Sequence, residues 1–187
     1  MPLAPVQLLW LNLVTDSLPA LALGVEPVEP GVMDQPPRDA RAGLFDGKFT
    51  LRLLWQGLMV GVLTLAAYFL GFTRLAAPGS EGPVANTMAF ATLTLCQLFH
   101  AFNVRSDSFD IFKDLKLNPG FMRVFVIIVL VQAFIVNAAL IPEPVFGWIS
   151  NMFSCVPFPP AGWAAAILLA FTMIPVDILR KVIVGRK

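Results

Sequence analysis

Charge is scarce in this chain. Lys, Arg, Asp and Glu together make up 13% of its 187 residues and hydrophobic types 57%, against about 25% and 45–50% in soluble domains. That balance argues against a soluble globule and for a chain immersed in lipid. The net charge of +1 says nothing about nucleic acid, which is not expected as a partner; the placement of the charges is what informs. There are two cysteines, Cys96 within a hydrophobic run and Cys155 in a loop. A bridge between a mid-membrane helix and an outer loop lacks ready geometry, so both are expected as free thiols. The N-terminus has neither a basic n-region nor an A-x-A-like site, so it does not read as a cleaved signal peptide. There is no G-x-x-x-x-G-K-[ST] phosphate loop, no internal repeat and no low-complexity tract. The longest polar stretch is about 26 residues, which leaves no room for a nucleotide-binding domain.

What the chain has in quantity is long apolar sequence. A membrane core of roughly 30 Å needs about 20 residues of helix, and five stretches reach that length: about 3–24, 51–73, 84–104, 120–141 and 162–184. The expected fold is therefore all-α, a single integral membrane bundle of five transmembrane helices over 1–187. Loops fall at 25–50, 74–83, 105–119 and 142–161, the first too rich in proline to form one helix. Twelve of the thirteen basic residues flank the loops 25–50 and 105–119 or close the chain; Arg74 alone lies on the other side. The positive-inside rule makes the loops 25–50 and 105–119 and the C-terminus cytoplasmic. Met1 is then outside, an awkward start for a complete protein and a natural one for the tail of a longer chain.

The first span holds the chemistry. It runs Leu9-Trp10-Leu11-Asn12-Leu13-Val14-Thr15-Asp16-Ser17-Leu18-Pro19. A carboxylate at mid-membrane costs roughly 2.5–3.5 kcal/mol on insertion scales and persists where a cation, proton or partner charge compensates it. Asn12, Thr15 and Asp16 are spaced i, i+3 and i+4, which places an amide, a hydroxyl and a carboxylate on one helix face. Pro19 cannot donate to the carbonyl of Thr15, so a kink is expected beside them. Broken spans of this kind form ion sites near the bilayer midplane. The plainer reading of Asn12 and Thr15 alone is an interhelical hydrogen bond. Gln97, His100 and Asn103 form a second polar stripe: His100 reads as packing, and Gln97 as either packing or an ion contact. Gln132 and Asn137 are expected to face other helices, and Asp177 to pair with Arg180 near a membrane surface.

These residues carry a family resemblance. Leu9 through Gly24 closely resembles the sixth transmembrane helix of P2-type cation-transporting ATPases, calcium pumps in particular. Met33-Asp34-Gln35-Pro36-Pro37-Arg38 resembles the cytoplasmic loop that follows it, and Gln97 through Ser106 the end of the eighth helix. The resemblance covers essentially the whole chain, as helices six to ten of a ten-helix pump. It implies that Asn12, Thr15 and Asp16 match calcium ligands, Asp16 being the carboxylate that bridges both ions in the two-site pumps. Gln97 stands where two-site pumps carry a glutamate. Plasma-membrane calcium pumps also lack that glutamate, which implies one calcium per cycle, held by Asn12 and Asp16, with Thr15 secondary. Sodium/potassium pumps usually have an aspartate at the position of Asn12, which again favours calcium as the transported ion.

The resemblance also defines what is missing. Such pumps form an aspartyl-phosphate in a D-K-T-G-T loop, and this chain has none. It cannot hydrolyse ATP alone, and ATP and Mg2+ would act only through domains it lacks. Its expected partners are the lipid bilayer and the pump's N-terminal half, helices one to five with the cytoplasmic domains; the expected location is the plasma (cell) membrane. Two further readings stay open: a free-standing, non-catalytic membrane protein that is a structural or regulatory partner of a full pump, and an independent cation channel.

Overall fold

The structure, a computed structural model, describes residues 3–27, 32–34, 47–105 and 118–184. Most of both expected cytoplasmic loops, 25–50 and 105–119, lies outside the described residues, together with Arg38, Arg41, Lys113, Lys116, Arg186 and Lys187. Among the described residues every regular element is helical: α1 Pro5–Trp10, α2 Ser17–Gly24, α3 Gly47–Leu70, α4 Glu81–Arg105, α5 Pro119–Asn137, α6 Trp148–Phe153, α7 Pro160–Phe171 and α8 Met173–Val184. A π turn, Leu11–Thr15, joins α1 to α2, and another, Gly71–Leu75, extends α3.

Four helical stretches are long and apolar enough to cross a membrane: Pro5–Gly24, Phe49–Leu75, Pro119–Leu140 and Pro160–Ile183. They match four of the five expected spans to within about two residues at either end. The remaining expected span, 84–104, is occupied by α4, which has 25 residues but more polar ones. The physical reason lies in the packing. Fifteen of its residues are buried, because α4 is surrounded by the other helices, and a helix that meets protein on most sides need not be apolar all round. By contrast α3 turns Leu51, Leu54, Leu58 and Leu65 outward, as lipid contact requires.

Small residues let neighbours approach α4. A Cβ on Gly71 would lie 3.0 Å from Ala85 Cα, and one on Gly162 would lie 3.0 Å from Met88 Sδ. Polar residues of α4 then bond across the seams. Thr94 Oγ1 lies 3.3 Å from Gln132 Oε1 on α5, Asn103 Nδ2 donates to Met173 O at 2.9 Å, and the Val156 amide donates to Thr87 Oγ1. The Asn137 amide donates to Ala133 O on its own helix. The expected loop 142–161 is also partly helical, with a π turn at Glu143–Gly147 followed by α6.

At one end of the bundle a polar clamp ties three helices. Arg105 Nε, at the end of α4, donates to Glu26 Oε1 at 2.6 Å, just past α2. Asn118 caps α5 by accepting from the Phe121 amide, and its Nδ2 lies within reach of Ala22 O and Glu26 Oε2.

Candidate functional site

Pro19 has no N–H for the carbonyl of Thr15, and the helix adjusts just before it. The Asp16 amide donates to Leu11 O at 3.1 Å, five residues back rather than four. Such π insertions within α-helices occur frequently at functional sites. A turn that takes in an extra residue also redirects side chains. In an α turn the i, i+3 and i+4 residues share a face; in the wider π turn i+4 stays aligned with i, whereas i+3 swings aside.

The trio therefore divides. Asn12 and Asp16 are exposed, while Thr15 is buried at 2% exposure. The expectation of three oxygens on one face is corrected to two on an open face and one turned inward. Thr15 Oγ1 lies 2.7 Å from Leu11 O and 2.7 Å from Gln97 Oε1 on α4. Gln97 itself is half-buried, so this polar pair forms the floor behind the open face. Neither the Asn12 amide nor the Asp16 carboxylate has a hydrogen-bond or ionic partner among the described residues; Asn12 accepts from Ser17 only through its main-chain oxygen.

The open face offers one oxygen from Asn12 and one or two from Asp16. Calcium takes six to eight oxygens at about 2.3–2.6 Å. Among the described residues no three of His, Cys, Asp or Glu converge on a point that could hold a metal ion. Asn12 and Asp16 thus make a partial shell whose remaining ligands have to come from beyond the described residues.

The other polar residues fall into two groups. Asp177 is buried at 4% exposure: Arg180 Nε reaches its Oδ1 at 2.8 Å, Gln56 Nε2 reaches the same oxygen at 3.3 Å, and Lys181 Nζ lies 3.6 Å from Oδ2. The expected pair with Arg180 is present, with the Asp177 carboxylate buried between helices. Lys181 also donates to the main-chain oxygen of Asn103, one of the carbonyls left open at the end of α4. His100 is half-buried, and its Nδ1 has no hydrogen-bond partner among the described residues. The stripe Gln97, His100, Asn103 does not face one neighbour, because Gln97 meets the first span and Asn103 the last. That follows from a spacing of three, which drifts about 60° per step on a helix of 3.6 residues per turn.

Sequence reasoning missed the Glu26–Arg105–Asn118 clamp and the burial of Lys181. For the clamp, the available signal was the Asn118-Pro119 pair, a capping residue followed by proline at the first helical position. For Lys181 it was the i, i+4 spacing from Asp177.

Comparison with known proteins agrees with the resemblance drawn from the first span. The sequence family described as cation transporting ATPase, C-terminus, matches residues 1–183. Similar curated proteins include calcium-transporting ATPase 1 of Bacillus cereus, 34% identical over 96% of this chain and 21% of the relative. The calcium-transporting ATPase of Bacillus subtilis is 33% identical over 100% of this chain and 20% of the relative. Calcium-transporting ATPase 5, plasma membrane-type, of Oryza sativa subsp. japonica is 33% identical over 97% and 16% respectively. The chain thus spans about a fifth of the length of the curated relatives it matches.

Proposed function

The chain belongs to the cation transporting ATPase C-terminal family, and on that premise we propose that it forms part of the ion path of a calcium-pumping membrane ATPase. Asn12 and Asp16 are its ligands to the transported Ca2+, with Thr15 and Gln97 supporting them from behind. The observation that carries this reading is the pair itself: an amide and a carboxylate in mid-span, on the open side of a π turn set by Pro19, with no partner among the described residues. A membrane carboxylate without a counter-charge is costly, and a cation shared with further helices removes that cost. The names of the relatives favour calcium as that cation.

In this reading the chain is one transmembrane domain of five spans. Helix α4 is the third of them; its 25 residues reach about 37 Å at 1.5 Å per residue, longer than the membrane core. Twelve of thirteen basic residues on one side support a cytoplasmic C-terminus and cytoplasmic loops 25–50 and 105–119. The membrane is the plasma (cell) membrane, consistent with the plasma membrane-type relative. Phosphorylation by ATP with Mg2+ takes place in the pump's remaining parts, which also supply the missing ligands.

Co-expression with the remaining part of a related pump, followed by ATP-driven calcium uptake into vesicles, tests this. Asp16→Asn abolishes uptake while membrane insertion is retained. Uptake unchanged by D16N overturns the site.

A further inference from the structure

Between α5 and α7 the chain holds out apolar side chains: Val145, Phe146, Trp148 and Met152 are exposed. They follow the end of α5 that lies opposite the Glu26–Arg105–Asn118 clamp. We propose that the segment 143–153 lies in the membrane interface, with these four side chains set among the headgroup ends of the lipid chains.

Four observations select lipid as the occupant. The first is depth. The Phe146 ring meets the Phe134 ring edge-on, with centroids 5.6 Å apart. Phe134 lies six residues inside the end of the span Pro119–Leu140, about 9 Å of helix. The chain therefore folds back along that span instead of leaving it. Its exposed apolar face continues the outward face of α5, where Ile127, Leu130 and Phe134 are also exposed. The second is charge. Glu143 is the only charged residue from 124 to 176, and Asn151 Nδ2 donates to its Oε1 at 2.8 Å. Trp148 and Met152 stand one turn apart on a shared face, and Asn151 falls about 100° round from Met152. The polar pair thus edges an apolar face, and Trp is a residue type enriched at membrane surfaces. The third is the main chain. Pro142 O accepts from the amides of Val145, Phe146 and Gly147, so the turn satisfies its own polar groups, as a segment leaving water must. The fourth is the opposite side of α6, which is already taken. Ser150 and Phe153 are buried, Gln7 Nε2 donates to Phe153 O at 2.9 Å, and Trp10 packs edge-on against the Phe153 ring. With no Lys or Arg in the segment, apolar burial rather than headgroup charge selects the lipid, and a zwitterionic one suffices.

The proposal uses the membrane reading of the chain and nothing about the ion. Its test takes the full chain with Trp10, Trp55 and Trp163 replaced by Phe, so that Trp148 is the fluorophore. A sister chain keeps only Trp55, which lies within the span Phe49–Leu75. Both are reconstituted in phosphatidylcholine vesicles containing phosphatidylcholine brominated near the headgroup end of its chains, with iodide present on both sides of the membrane in a parallel sample. Trp148 loses emission to the brominated lipid as Trp55 does, and iodide quenches it several-fold less than in the unfolded chain. Replacing part of the phosphatidylcholine with phosphatidylglycerol leaves the quenching by lipid unchanged. Quenching of Trp148 by iodide alone, with Trp55 reached by lipid, means an aqueous loop and overturns the proposal. Trp148 reached by neither quencher means that polypeptide covers the face, and overturns it too. If lipid reached neither Trp148 nor Trp55, the membrane reading would fall with it.

Labelling with a membrane-impermeant maleimide in open membrane fragments gives a second reading. The native thiols Cys96 and Cys155 are buried, and a thiol in apolar surroundings stays protonated and slow to react. N151C is labelled several-fold faster than M152C, both in the chain alone and in the chain co-expressed with the rest of a related pump. Equal, rapid labelling of the two overturns the proposal.

Discussion

Thr15 and Gln97, 82 positions apart in the chain, meet with Oγ1 and Oε1 at 2.7 Å. The contact joins the interrupted first span to α4 and turns Thr15 away from Asn12 and Asp16. On the function proposed above, Thr15 and Gln97 hold the site's shape and the exposed pair takes the ion.

If so, Thr15→Val and Gln97→Ala each weaken the fold by about 0.6 kcal/mol, the average for a hydrogen bond between membrane helices, and by no more than about 1.7. The double variant costs less than the two single losses added together, because both remove the same bond. Calcium affinity of the assembled pump shifts far less than in D16N. Thermal unfolding in detergent and calcium titration of the four proteins check this. A T15V variant as inactive as D16N would make Thr15 a ligand.

The ion pair at the other end of the first span gives a larger expected effect. The Arg105 side chain is 4% exposed and that of Glu26 19%. Glu26→Ala strands a buried guanidinium, and breaking a buried pair from one side costs about 3–5 kcal/mol. The double variant Glu26→Gln with Arg105→Met is more stable than E26A alone, since no lone charge is left inside. Unfolding midpoints of the two variants decide it; equal midpoints would show that the pair is solvated.

Much of this arrangement is legible in the sequence, for physical reasons that differ by element. Lipid-facing spans announce themselves, because a helix such as α3 that shows Leu54, Leu58 and Leu65 to the membrane has to be apolar. The break at Pro19 is legible because a missing N–H acts locally. How the helix absorbs that break is not: a kink, an unwound turn and a π turn all satisfy the same proline, and only the π turn sends Thr15 inward. A second break escaped notice altogether. The last span turns at Thr172, three residues before Pro175, the same spacing as Asp16 to Pro19. The Glu26–Arg105 contact spans 79 positions and has no periodic signature. Most of the loops 25–50 and 105–119 lies outside the described residues.

Close packing against α4 makes Gly71 a sensitive position. A Cβ there would stand 3.0 Å from Ala85 Cα, a backbone atom that cannot rotate away. Gly71→Leu therefore pushes α3 from α4 and destabilises by about 1–3 kcal/mol, the usual range for overpacking, whereas Gly61→Ala, with nothing within 4 Å, is tolerated. Paired unfolding measurements test the contrast.

The thiol of Cys155 is buried, which pushes its pKa up to about 11, and its contacts with Gln7 and Thr87 only partly offset this. The thiolate is the reactive form, so at pH 8 about one molecule in a thousand carries it. Iodoacetamide at pH 8 leaves Cys155 unmodified in the folded chain and labels it after denaturation, and labelling rises as pH approaches 11. Rapid labelling of the native chain at pH 8 would place the thiol in water.

Equilibrium binding of radioactive calcium to the assembled pump, counted per phosphorylation site, addresses the ion assignment most directly. The expected result is one calcium per pump for the wild type and none for Asp16→Asn at the same free calcium concentration, with protein folding and membrane insertion unchanged. Retention of that ion by D16N would contradict the assignment.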